Sequence, residues 1–454
     1  MNLVIIGGGK VGKRIAGQLI KEGHDIVMID KNRAALDEIG NRLDVMCIEG
    51  TAVDPDTLAE AGVGNADCVI ACTNSDEVNM ICSLIAKKSG AQRTIARVRN
   101  PEYYNQMPYI KDDLGIDLAI NPELSAANTL SRVLLFPVAN SVQTFFRGHM
   151  ELIGFYVAAG NRLAGMKIRD INAQFNVHML ICVIERENEV IIPNGSDEIR
   201  ESDNIYIAGK HDELQKFFRE IDAFKSSVNS VILIGGGKIS YYMARKLLMY
   251  GMDVKIIEMD ITRCNELAEL LPQATVVNAD GASNDILIEE GIDRADAVVP
   301  LTGIDEINVI LSYFAKQRGV PTVATKVNQR SYIDTVKSFG VDAVASPRMV
   351  TADEMVQFAR ATLAADNDST IIALNKLVDG KAEALEFKIS GSAEVIGKPL
   401  STLPLRKGIL VACINRGGQI IFPGGSDCIE AEDNVVIITT DAGIKSIDEI
   451  LKKD

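Results

Sequence analysis

Three glycines, Gly7-x-Gly9-x-x-Gly12, follow the apolar run Leu3-Val4-Ile5-Ile6 and open an amphipathic helical pattern near Val11. The chemistry this spacing serves is capture of phosphate by backbone. The first glycine permits a tight strand-to-helix turn and the second lets a pyrophosphate approach the main chain. The third lets the helix pack close to the strand, so that its N-terminus faces the phosphates. Asp30 ends the next apolar run, about 20 residues on, where a carboxylate takes both ribose hydroxyls. An acid there disfavours a 2′-phosphate, so NAD(H) or an adenine nucleotide fits better than NADP. Lys31 and Arg33 soften that preference slightly. Other run ends are candidates too: Gly50-Thr51-Ala52, Thr73-Asn74, and Arg97 within Ile95-Ala96-Arg97-Val98-Arg99. Doubly wound sheets bind ligands at that carboxyl edge. The Arg97 guanidinium reads either as a phosphate partner or as a solvated strand-end charge.

The pattern occurs twice. Leu3 to Lys10 returns as Val231 to Lys238, and Asp25 to Asp30 returns as Asp253 to Glu258, both at an offset of 228. Thr73-Asn74-Ser75-Asp76-Glu77-Val78-Asn79 returns as Thr302-Gly303-Ile304-Asp305-Glu306-Ile307-Asn308, at an offset of 229. The second copy departs in places. Ser240 stands for the third glycine, Glu258 for Asp30, Lys326 for Arg97, and Ala279-Asp280 for Gly50-Thr51. Serine is small enough for the packing role and glutamate still reaches a ribose, so a nucleotide is expected here as well, not necessarily the same one.

Elements that position these residues follow from the pattern. Within 1–121, apolar strand-like runs (3–6, 25–29, 44–48, 67–72, 93–98, 117–120) alternate with helical stretches, the mark of a parallel sheet covered on both faces. From Glu123 a helix pattern runs to a break at Pro137. Short strands around a brief helix follow over 150–208, then a last helix over 211–222, and the second half repeats this small unit over 370–440. Ile192-Pro193-Asn194-Gly195-Ser196-Asp197 matches Phe422-Pro423-Gly424-Gly425-Ser426-Asp427, and Asp203-Asn204 and Asp433-Asn434 precede the final strands. The fold class is therefore α/β: two tandem Rossmann-like doubly wound domains, each followed by a small α+β lobe. The expected boundaries are 1–122, crossover helix 123–147, lobe 148–224, then 229–347, crossover helix 348–367 and lobe 368–452, with a linker over Lys225–Asn229. The apolar faces of the crossover helices serve either the monomer core or pairing between modules.

The 454 residues carry 47 Lys+Arg against 62 Asp+Glu, a net charge of −15, which argues against nucleic acid and against anionic lipid. No window approaches the roughly 18 apolar residues of a membrane span. The chain opens directly on a strand pattern, so no signal peptide is expected. Eight cysteines form no CxxC pair, and Cys68, Cys72, Cys182 and Cys413 lie on apolar strands or helix faces. A cytosolic protein is expected. The four histidines, His24, His149, His178 and His211, avoid the Rossmann strand ends, and no HExxH, GxSxG or P-loop pattern appears. No catalytic or metal site is expected. An NAD-dependent oxidoreductase remains the alternative, with tyrosine or lysine as acid. A nucleotide-responsive transcription factor would need a basic recognition helix, which this acidic chain does not offer.

The duplicated plan, the Gly7–Gly12 turn with Asp30, Thr73 to Met80, and Ile95 to Arg99 together resemble the TrkA family over 1–450. These are peripheral subunits of Trk-type potassium uptake systems, built from two RCK (KTN) modules. The resemblance implies a regulatory protein rather than an enzyme. It implies rings of modules beneath a potassium-transporting membrane pore, on the inner face of the cell membrane, gated by NAD(H) or by ATP/ADP. By position, Gly7, Gly8, Gly9, Lys10 and Val11 would hold phosphates beside Gly12, and Asp30 with Lys31 the ribose. Thr51, Ala52, Thr73, Asn74 and Glu77 would line the nucleoside, with Arg97 near phosphate. Gly235, Gly236, Gly237, Lys238, Ile239, Glu258, Asp280, Thr302 and Lys326 would correspond in the second module. The acidity then suits a pore whose cytoplasmic loops carry excess Lys and Arg.

Overall fold

β-branched apolar runs long enough to cross a sheet, separated by capped helices, build the first Rossmann domain. It comprises β1 (Asn2–Ile6), α1 (Lys10–Leu19), β2 (Asp25–Asp30), α2 (Arg33–Gly40), β3 (Met46–Glu49) and α3 (Pro55–Glu60). β4 (Cys68–Ala71), α4 (Asp76–Lys88), β5 (Arg93–Arg97), α5 (Pro101–Ile110) and β6 (Leu118–Ile120) complete it. These ranges come from a computed structural model, which describes residues 2–136, 139–223, 228–364, 369–391, 393–441, 444 and 446–452. The strands are parallel in the order β3-β2-β1-β4-β5-β6. β4 is buried along its whole length and β1 along all but its first residue, as helices on both faces require. Strand order reverses between β1 and β4, which opens the ligand crevice at Gly7 and Thr73.

The crossover helix α6 (Pro122–Leu135) starts at Asn121, whose side chain accepts the Leu124 N–H. A helix over 123–147 was the sequence expectation, and the structure corrects it. The helix ends at Leu135, and β7 (Ala139–Phe145) pairs antiparallel with β8 (Met150–Tyr156). Val142, Thr144 and Phe145 favour a pleated surface, and β8 offers the partner edge. The expected break at Pro137 lies outside the described residues. The lobe continues with α7 (Ile168–Phe175), β9 (Met179–Arg186), β10 (Glu189–Ile191), β11 (Asn204–Gly209) and α8 (His211–Glu220). Its sheet order is β10-β9-β11-β8-β7.

The second half repeats this plan, except that among the described residues its lobe has short 3-10 turns at Leu400–Thr402 and Ile447–Ile450 where the first lobe has α7 and α8. β12 (Ser230–Ile234), α9 (Lys238–Met249), β13 (Asp253–Glu258), α10 (Ile261–Leu270), β14 (Thr275–Asn278) and α11 (Asn284–Glu289) come first. β15 (Ala297–Pro300), α12 (Asp305–Gln317), β16 (Thr322–Lys326), α13 (Arg330–Ser338) and β17 (Ala343–Ala345) follow. The crossover helix α14 (Pro347–Ala364) precedes β18 (Ser369–Leu377), β19 (Ala382–Ile389), β20 (Ile409–Arg416), β21 (Gln419–Ile421) and β22 (Asn434–Thr439). Residue 224 of the expected first lobe, 225–227 of the expected linker, 365–367 of the expected crossover and 368 of the expected second lobe lie outside the described residues.

Like groups with like. The two Rossmann domains form one compact unit and the two lobes another. In the lobe unit, Phe145, Met150 and Cys182 share a core with Leu377, Cys413 and Val436. The recurring Asp203 and Asp433 are buried, and each carboxylate takes both arms of a strand arginine, Arg186 or Arg416. In the Rossmann unit, α6 packs along α9 of the opposite domain and on β16 and β17. The crossover helices thus serve pairing between modules, inside one chain.

One carboxyl at this pairing titrates. Glu354 on α14 accepts the Ser125 hydroxyl of α6 at 2.9 Å, and burial pushes its pKa from 4.5 up to about 7, with Asp353 adding to the rise and Arg132 opposing it. An acid whose folded pKa lies above its unfolded one stabilises the fold as the neutral form. That contribution is complete below 4.5 and is lost as pH rises through about 7. Glu354→Gln should therefore melt like the parent at pH 4 and be more stable at pH 8, by on the order of 3 kcal/mol. Thermal melts at the two pH values check this; equal differences at both would remove Glu354 as the cause.

Candidate functional site

Both strand-to-helix turns need glycine. Gly7 and Gly235 hold φ of +112° and +100°, in the region that favours glycine. A Cβ on Gly12 would lie 2.0 Å from the Gly7 carbonyl oxygen. Ser240, at the same point of the second turn, is fully buried and donates its hydroxyl to the Gly235 carbonyl. Helices α1 and α9 start at Gly9 and Gly237 with no side-chain cap, which leaves their first N–H groups for a ligand. Asp30 and Glu258 brace the turns. Asp30 accepts the Gly8 N–H at 2.6 Å and the Asn32 N–H at 2.8 Å; Glu258 accepts those of Gly236 at 2.5 Å and Asp260 at 2.8 Å. Each carboxylate retains acceptor sites for ribose hydroxyls. The second turn carries one brace the first lacks: Arg263 Nε donates to the Gly236 carbonyl at 2.7 Å.

The recurring Thr-x-x-Asp-Glu-x-Asn segment proves to be a staple between strand ends. Asn79, fully buried, accepts the Thr73 N–H at 2.8 Å and its hydroxyl at 2.7 Å, and donates to the Arg97 carbonyl at 2.9 Å. Asp76 accepts the N–H groups of Arg99 and Asn100 at 2.8 and 2.7 Å. Asn308 and Asp305 repeat these bonds to Thr302, Lys326, Asn328 and Gln329. Glu77 is exposed and accepts from Ser75 at 2.7 Å and from Tyr103 at 3.1 Å.

The staples aim two cations. Arg97 is buried, not solvated; it donates to the Thr73 carbonyl and to Asn74 Oδ1 at 3.2 Å, and its Nε has no partner among the described residues. Lys326 donates to the Thr302 carbonyl at 2.5 Å. Burial lowers the pKa of both, which marks charge poorly solvated by its surroundings. Both line one cavity of about 500 Å3 between the two Rossmann domains, with Val11, Asn74, Gly237, Lys238 and Ile239. Three further charged residues line it that were not among the expected site residues, Arg99, Glu123 and Arg348. Arg99 and Glu123 pair at 3.0 Å, so Arg97, Lys238, Lys326 and Arg348 face the space without a lining carboxylate of their own. Such a cavity suits a polyanion. Asp30, Lys31, Thr51, Glu77, Glu258, Asp280 and Thr302 lie outside its lining. Lys10, Lys31, Thr51 and Asp280 are exposed, whereas Ala52 is buried and its carbonyl accepts the Cys82 thiol.

Family models described as TrkA-N domain match residues 3–122 and 231–347, and TrkA-C domain matches 152–222 and 384–452. A "Trk system potassium uptake protein TrkA homolog" of Archaeoglobus fulgidus is 33% identical over 455 residues, covering 100% of both chains. The chain belongs to the TrkA family. Another family member, "Trk system potassium uptake protein TrkA homolog 2" of Methanosarcina mazei, is 31% identical and also covers 100% of both chains. Among solved structures, "GsuK channel bound to NAD" shares the fold at a TM-score of 0.62 and 17% identity, covering 99% of this chain and 78% of that one. The family matches fall on the Rossmann domains and lobes delineated above. The cavity's Arg99, Glu123 and Arg348 had one sequence signal: each stands within three residues after β5, β6 or β17.

Proposed function

We propose that this chain is a regulatory subunit of a potassium uptake system that binds NAD(H), and ATP or ADP as competitors, and changes shape rather than substrate. One observation carries the reading. Val11 of the first glycine turn, Gly237 to Ile239 of the second, and the cations Arg97, Lys238, Lys326 and Arg348 face a single cavity, and an acid, Asp30 or Glu258, braces each uncapped turn. Phosphates would satisfy the free N–H groups of α1 and α9 and the unpartnered Nε of Arg97. Asp30 and Glu258 would take ribose hydroxyls, which favours NAD(H) over NADP. The residues present therefore fit the nucleotide.

Work comes only from a difference in affinity between two arrangements of the domains. Hydride transfer would need an acid or base in the cavity; Glu123 gives one oxygen to Arg99, and the lining lysines Lys238 and Lys326 are the acids an oxidoreductase would use. The working assembly is a homo-oligomeric ring of modules on a Trk-type pore at the cytoplasmic membrane face, the potassium-carrying partner. The net charge of −15 suits a basic pore face, so raised salt should weaken that association. Asp30→Ala tests the nucleotide site. Calorimetric affinity for NADH at the first module should fall about tenfold, the loss of one charge-assisted ribose contact. Unchanged affinity would displace Asp30 from the site, and consumption of NADH with a small substrate would favour the oxidoreductase.

A further inference from the structure

Each glycine-turn helix is bonded to the crossover helix of the other module. Asn121, at the start of α6, donates to the Tyr242 hydroxyl of α9 at 3.0 Å, with both side chains buried. Lys246 of α9 donates to Asn128 Oδ1 of α6 at 3.0 Å. In the other direction, Asp353 of α14 accepts from Arg14 and Gln18 of α1, both at 3.2 Å. Along the chain, α6 runs on to the first lobe and α14 to the second. The helix that opens on the second turn is thus fastened to the stalk of the first lobe, and the helix that opens on the first turn to the stalk of the second lobe.

We propose that the nucleotide signal is crossed: a ligand at one module's glycine turn acts on the other module's crossover helix and lobe. The inference rests on the nucleotide reading above. Phosphates drawn to the N-terminus of α9 bear on a rigid helix, and the Asn121–Tyr242 and Asn128–Lys246 bonds pass its movement to α6. Burial pushes the Tyr242 hydroxyl up to about 12, so it stays neutral and the bond does not vary across the physiological range. The same path through α1, Arg14, Gln18 and Asp353 serves a ligand at the first turn. The α6–α9 link keeps a buried neutral bond, Asn121–Tyr242, beside the Lys246 contact, whereas the α1–α14 link includes an exposed ion pair, so salt would weaken the second direction of signalling more than the first.

Hydrogen exchange on the full chain tests this. Asp30→Ala weakens the first turn and Glu258→Ala the second, each about tenfold. With NADH, and separately ATP, held between the affinities of the intact and the weakened turn, the Asp30→Ala chain should show exchange slowed severalfold in 122–135 and less change in 347–364. The Glu258→Ala chain should show the reverse. Adding Tyr242→Phe with Lys246→Ala to the Asp30→Ala chain should abolish the effect on 122–135 while leaving affinity within about twofold. Protection confined to the crossover helix of the occupied module, or equal in both, overturns the crossed path while leaving nucleotide sensing intact. If the second turn binds neither probe, the Glu258→Ala chain decides alone. Absence of binding to the unmodified chain overturns the nucleotide reading itself, and this inference with it.

Discussion

Gly12→Val should remove nucleotide binding at the first turn, a loss on the order of 100-fold in affinity. The Cβ it adds falls 2.0 Å from the Gly7 carbonyl oxygen, which is backbone and cannot swing away. Relief requires the start of α1 to move off β1, and that start is where the phosphates must lie. The second copy calibrates the argument. Ser240 brings the same Cβ but recovers a hydrogen bond from its hydroxyl to the Gly235 carbonyl. Valine is bulkier and has no donor, so it meets the clash without that return. Calorimetric titration with NADH in the Glu258→Ala background isolates the first turn. Parent-like affinity of Gly12→Val there would mean that α1 does not bear the ligand. Gly12→Ser should lie between the two.

Arg97→Met should raise stability and lower affinity together. The guanidinium is buried, its Nε is unpartnered, and burial depresses its pKa. A buried cation without its counter-charge destabilises the empty protein, so an apolar side chain of similar length should melt at a higher temperature. The same charge is what a phosphate would meet. Affinity for NADH should therefore fall on the order of 10- to 100-fold, the worth of a charge-assisted contact in a partly dry site. Lys326→Met should behave likewise from the opposite side of the cavity. Adenosine, which has no phosphate, should bind the parent and both variants alike. A melt that falls with the affinity would assign these cations to structure instead.

Much of this was legible from residue order. Repetition of Gly7 to Gly12, Asp30 and Thr73 to Asn79 is enough to predict two parallel sheets with ligand edges, because each element's apolar period agrees with its neighbours. β7 was not legible, because Ala139–Phe145 follows a helix and its strand character comes from pairing with β8. Asn79 and Asp76 stood in plain view as a recurring segment. Their role as staples depends on the backbone at and just after the end of β5, 18 and 23 or more residues away, which no local pattern encodes. The pairing of Rossmann domain with Rossmann domain stood as one of two roles for the crossover helices, and the sequence did not decide between them for a similar reason. The pairing rests on contacts between α6 and α9, more than a hundred residues apart.

Glu123 and Arg348 occupy the same point of the repeat, the third residue after β6 and after β17, and both line the cavity. In a dimer of identical chains, a residue at a shared cavity meets its own copy across the axis. Glutamate would come with glutamate and arginine with arginine. Two domains in one chain escape that rule: Arg348 brings its charge to the cavity, whereas Glu123, at the equivalent point, shares its charge with Arg99. A dinucleotide is itself lopsided, with adenosine at one end and nicotinamide riboside at the other. A chamber with unlike ends can accept such a molecule one way round, and so turn occupancy into direction.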